Sequence, residues 1–191
     1  MRPIVIAAAL CSLFLNLGTA QVSPTVSLQP TKLEAFASQP DTRVKWSKEV
    51  GRIESTEARV VITALVVENT AHSRSMRGVR VDLFNSNTTD QVYLEEARLE
   101  PVKKALDQID SEIVDFQKEA DEGTRYRYRG AAEFWHPDQR IHTLNAAYYI
   151  APDSSGLALS AYKAQGFRFP GHRPSELAAS IGRAIEELTR R

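Results

Sequence analysis

Residues 58–70, ARVVITALVVENT, are apolar on both alternations of an extended chain. Val60, Ile62, Ala64 and Val66 fall on one side, and Val61, Leu65 and Val67 on the other. Successive side chains of a strand point to opposite faces, so this pattern predicts a central strand covered on both. Its neighbours read as further strands. RVKWSKEVGRIES carries Trp46, Val50 and Ile53, with a candidate bulge at Gly51. AHSRSMRG reads as a polar turn ending at Gly78, VRVDLFNS as a strand with Val79, Val81 and Leu83 on one side, NSNTTD as a second turn, and QVYLEE as a short fourth strand.

The period then changes. Leu99, Val102, Leu106, Ile109, Ile113 and Phe116 recur at spacings of three and four, one apolar stripe along a helix. Its start is expected near Pro101, where a missing amide costs least; the polar side carries Lys103, Lys104, Asp107, Asp110 and Glu112. KEADEGT closes the unit. Strand patterns return in RYRYRGAAEFW, RIHTLNAAYYI, LALSAYK and GFRF, separated by turns at HPDQ and APDSSG. PSELAASIGRAIEELTRR follows as a second amphipathic helix, with Leu177, Ile181, Ile185 and Leu188 on one face.

These patterns predict an α+β fold: an antiparallel β-sheet with two amphipathic helices, arranged as two tandem strands-then-helix units. The expected division is a single domain over 43–191, with candidate sub-units 43–122 and 123–191. This plan is similar to that of the Whirly-type and transcriptional-coactivator binders of single-stranded DNA, a resemblance of topology that no shared motif accompanies. Residues 21–42 hold three prolines and little periodicity, and read as a flexible leader or linker in which TKLEAFAS could form one helical turn.

The first twenty residues, MRPIVIAAALCSLFLNLGTA, set the expected destination. A short positive start, an apolar run from Ile4 to Leu15, and Gly18-Thr19-Ala20 before Gln21 form the anatomy of a secretory signal peptide. The run is short for a bilayer, which asks for roughly 20 apolar residues, so no stable membrane span is expected after cleavage. Leu10 before Cys11 is too large for a lipoprotein cut. Cys11 is the sole cysteine, so the mature chain has none and can build neither disulfides nor thiolate chemistry. The full chain has 24 basic and 24 acidic residues. Removing Arg2 leaves a balance of −1, without the basic excess typical of nucleic-acid binders.

Candidate chemistry is sparse. In TRYRYRG, strand alternation puts Arg125, Arg127 and Arg129 on one face and Tyr126 and Tyr128 on the other. A single-strand platform needs cations and aromatics on the same face. The expectation is therefore a structural strand, tyrosines inward and arginines outward, with a basic strand face as the alternative. His136, Asp138 and His142 lie close in sequence, but a metal needs three or four converging ligands, and no metal or other cofactor is expected. His72 and His172 are read as solvated loop residues. FRFPGHRPSE places Arg168, His172 and Arg173 beside a helix start, a candidate anion site. No Gly-x-Ser-x-Gly elbow or Ser-x-x-Lys pair occurs, and no catalytic residue is assigned. The leading expectation is an exported, non-enzymatic binding or assembly module, its partner unassigned (another exported protein or a second copy). A small hydrolase with a loop-built site, and an anion or single-strand nucleic-acid binder, are the alternatives.

Overall fold

The computed structural model describes residues 30–119, 127–129, 144–161 and 166–191; the expected signal segment lies outside them. The first unit comprises α1 (Lys32–Ala37), β1 (Thr42–Glu54), β2 (Ala58–Asn69), β3 (Arg74–Asn85), β4 (Thr89–Glu95) and α2 (Glu96–Glu119). The second comprises β5 (Arg127–Arg129), β6 (Asn145–Ile150), β7 (Ser155–Ser160), β8 (Phe167–Pro170) and α3 (Pro174–Thr189). Each set of strands forms an antiparallel sheet in sequential order, β1-β2-β3-β4 and β5-β6-β7-β8. The α+β fold and its strands-then-helix order are as expected from the sequence.

β2 is central, and both of its faces are used. Val60, Ile62, Ala64 and Val66 enter the main core, whereas Leu65 and Val67 enter a second cluster with Leu33 and Phe36 of α1, backed by Met76 and Tyr93. The cover for that second face comes from TKLEAFAS, inside the stretch read as a leader. Thr31 caps α1 by accepting from the Glu34 amide at 3.1 Å, and the Lys32 amide donates to Glu95 Oε1 at 2.6 Å. Residues 31–37 are thus packed structure, because two apolar side chains one helical turn apart fill a hollow that the sheet alone leaves open. Gly78 makes the hollow deep enough. A Cβ there would stand 2.6 Å from Leu33 Cδ2 and would collide with the Leu94 carbonyl.

Two boundaries differ from the sequence reading. β3 begins at Arg74, not after Gly78, because its backbone continues the ladder from Asn69 opposite Arg74 despite polar side chains. The turn shrinks to residues 70–73, held by the His72 amide on Asn69 Oδ1 and by a left-handed Ser73 (φ 49°). α2 begins at Glu96, so Pro101 lies inside it on an exposed side. Leu99, fully buried, draws the preceding turn into the helix. From there Leu99, Val102, Leu106, Ile109 and Ile113 are all buried, as the stripe predicted, while Lys104 is exposed.

The helices interlock the units. α2 packs on β3 and β4 of its own sheet, on β6 of the other, and on α3; α3 packs on β1, β2 and β3 as well as β6. One continuous core results, from Val50 through Leu106 to Phe169 and Leu188. α3 sits on an irregularity of β1. The β1–β2 register shifts between Glu49 and Gly51, and there the Val50 carbonyl accepts from Arg183 Nε at 2.7 Å. Gly51 lies under Ser180, and any Cβ at 51 would overlap that side chain.

The stripe predicts that Leu106→Ala lowers stability by about 2–5 kcal/mol, and Lys104→Ala by less than about 0.5 kcal/mol, read from denaturant midpoints. The two glycines at α3 should behave oppositely. Gly51→Ala should cost about 1–3 kcal/mol by overpacking against Ser180. Gly182→Ala, whose new methyl would lie an ordinary 3.5 Å from Lys103 Cε, should add about 0.5–1 kcal/mol through helix propensity.

Candidate functional site

Arg168, His172 and Arg173 do not converge on a common site. Arg173 opens α3 and makes a two-point ion pair, Nε to Asp110 Oδ1 at 3.0 Å and Nη2 to Asp110 Oδ2 at 2.8 Å. The Ser175 amide, in the first helical turn, also donates to Asp110 Oδ1 at 3.2 Å. The anion at this helix start is therefore the protein's own carboxylate, projected from α2. Burial, the largest single influence on Asp110, pushes its pKa up; the Arg173 and Ser175 hydrogen bonds and the Arg173 charge together outweigh it and hold the group below its ordinary value. His172 lies 2.9 Å through Nδ1 from Glu176 Oε2 and 2.9 Å through Nε2 from the Glu54 carbonyl, tying the β1 end to α3. Glu176 also accepts from the Arg173 amide at 2.9 Å.

Arg168 belongs elsewhere. Along β6, Ala146 enters the main core and Tyr148 packs on Ile109 and Ile113 of α2. The alternating positions Asn145, Ala147 and Tyr149 therefore lie on the face turned away from the helices. Leu157 and Leu159 of β7 and Phe167 and Phe169 of β8 likewise face the core, leaving Ala158, Ser160 and Arg168 on the outer face. There a cleft of about 500 Å³ is lined by Asn145, Ala147, Ala158, Ser160, Arg168 and Glu57. Small residues, Ala147, Ala158 and Ser160, leave the space that the cleft occupies.

The cleft is furnished for recognition. Asn145 Oδ1 is buried without a hydrogen-bond partner, a state that costs about 1–3 kcal/mol when nothing supplies a donor. The Arg168 guanidinium stands over the Tyr149 ring at 5.8 Å, within range of a cation–π contact. Burial is the main influence that raises the Tyr149 phenol above its usual pKa. Glu57 approaches from the β1–β2 turn, which is itself tied to β8 by Ser55 Oγ donating to the Arg168 carbonyl at 3.2 Å. Asn145, Ser160 and Glu57 carried no motif in the sequence. The one available signal was the complement of the inward alternation, since reading Leu157, Leu159 and Ala161 as core leaves Ala158 and Ser160 outward.

Of the arginine–tyrosine ladder, β5 covers Arg127–Arg129, paired with Ile150, Tyr149 and Tyr148 in turn; Arg125 and Tyr126 lie outside the described residues. His136, Asp138 and His142 lie outside them too, and among the described residues no three His, Cys, Asp or Glu side chains gather as a metal site. His72 is exposed in the β2–β3 turn. No described helix is long and apolar enough to cross a membrane. The chain matches no protein-family model, and no curated protein matches its sequence.

A depressed carboxylate contributes stability above its unfolded pKa and loses it as pH falls through the folded value. Asp110→Asn should therefore lower stability by about 1–2 kcal/mol near neutral pH. The gap from wild type should narrow as the pH drops below the ordinary 3.8, measured by urea midpoints between pH 7 and pH 3.

Proposed function

We propose that this protein is an exported, non-enzymatic binding module, active in the periplasm or outside the cell, and that the outer cleft of the second sheet is where it binds. The observation that carries the reading is the buried Asn145 acceptor, which the protein leaves without a donor beside a hollow of ligand size. An unsatisfied buried polar group asks for an explanation, and a turn of the Asn145 amide toward the hollow it lines would bring that oxygen to a ligand N–H or O–H. The cleft's other polar groups suit holding better than bond-breaking. Ser160 is accompanied there by an amide, a carboxylate and a guanidinium, and neither described histidine lines it. Export is supported by the amino-terminal pattern.

Sequencing the amino terminus of the protein isolated from its natural source should give Gln21 as the first residue. A full-length chain recovered from the membrane would reject export. Ester or phosphoester turnover that disappears in Ser160→Ala would replace the binding module with a hydrolase.

A further inference from the structure

The outer cleft does not end at Arg168. A second hollow of about 600 Å³ continues from it past the β1–β2 and β3–β4 turns, sharing Glu57, Gly166 and Arg168 with the first. Thr56, Ser86 and Asn87 line the extension. Resting on the reading of the cleft as a binding site, we propose that this elongated groove takes a neutral oligosaccharide bearing hydroxyl and acetamido groups.

The chemistry of the walls selects that class. Amide and hydroxyl side chains both donate and accept, which matches a ligand whose rings present hydroxyls that do the same. Among the described residues, the charged groups lining the groove are Glu57 and Arg168, opposite in sign. Their balance gives a polyanion such as a nucleic acid no net attraction. The Asn145 oxygen, unpartnered within the protein, would accept from a ring hydroxyl or an acetamido N–H once its amide turns into the groove it lines.

An extended peptide is the competing occupant, and the groove suits it less. A peptide gains affinity chiefly by adding a strand to a sheet edge, with pockets for alternate side chains. The bordering strand is β8, an edge strand, and its Arg168 carbonyl already accepts from Ser55 Oγ at 3.2 Å. Among the described lining residues, Ala147, Ala158 and Gly166 are too small to wall a deep pocket for a large side chain. Hydrogen bonds in a groove open to water make for weak binding, with Kd expected in the millimolar range, about 1–10 mM.

The test is a titration of the ¹⁵N-labelled mature chain with tetra-N-acetylchitotetraose, beside a neutral Gly-Ser-Asn peptide. The proposal expects amide shifts confined to residues around Asn145, Ser160, Arg168 and Asn87, and none of similar size with the peptide. Asn145→Leu should weaken binding about tenfold, the loss of one well-placed hydrogen bond, while the melting temperature of the free protein holds or rises, because the unsatisfied oxygen is gone. Ser86→Ala/Asn87→Ala, confined to an exposed turn, should weaken the tetrasaccharide but leave N-acetylglucosamine alone unaffected, because a single ring does not reach the extension. An absence of shifts up to about 20 mM sugar, or binding indifferent to both variants, overturns the proposal. If the peptide instead shifts the same amides, the saccharide is rejected and the cleft stands as a binding site. A chain recovered uncleaved would reject export, whatever the titration shows.

Discussion

The fold hangs on one carbonyl. Where β1 slips its register beside Gly51, the Val50 oxygen turns to Arg183 of the last helix, and Ser180 occupies the space that a side chain at 51 would have filled. That contact seats a helix from the end of the chain on the sheet from its beginning. α2 returns the exchange by packing on β6. Each helix covers its own sheet and its neighbour's, so neither unit can bury its apolar stripe without the other. The Asp110–Arg173 pair and the His172 bridge to Glu54 fasten the same seam from its polar side. The positioning of the outer cleft follows, since Glu57 reaches it only because the first sheet's turn is held against β8.

Much of this was legible in the sequence because it depends on periodicity. The stripe from Leu99 to Ile113, the alternation in 58–70 and the last helix are local signals that burial obeys. Even the apolar second face of β2 was correctly a demand for cover. What could not be read was which segment would meet it, since a six-residue helix with two apolar side chains leaves too faint a trace among three prolines. Pro101 misplaced a helix start for a related reason: local backbone preference yielded to the burial of Leu99.

The candidate site was less legible, and for a different physical reason. Arg168 and Arg173 are five residues apart and both basic, yet they serve opposite faces of the second sheet. One projects from the outer face of β8; the other grips a carboxylate that α2 delivers from 63 residues away. The helix start beside Arg173 holds a carboxylate, but sequence does not reveal that the protein supplies that anion itself, from Asp110. The cleft residues are harder still, because Ala, Ser and Asn on an outer strand face look like ordinary surface until an unsatisfied oxygen is found beneath them.

The short first helix has a bearing on how the protein can be handled. A fragment cut at the first strand would keep both sheets and both long helices, and by secondary structure alone would look intact. It would nevertheless lay bare Leu65, Val67, Met76 and Tyr93, which Leu33 and Phe36 now cover. Contiguous apolar surface of this kind is what drives chains together. The boundary of a well-behaved fragment therefore lies ahead of Thr31, and a tag joined close to Lys32 would compete with the very amide that Glu95 holds.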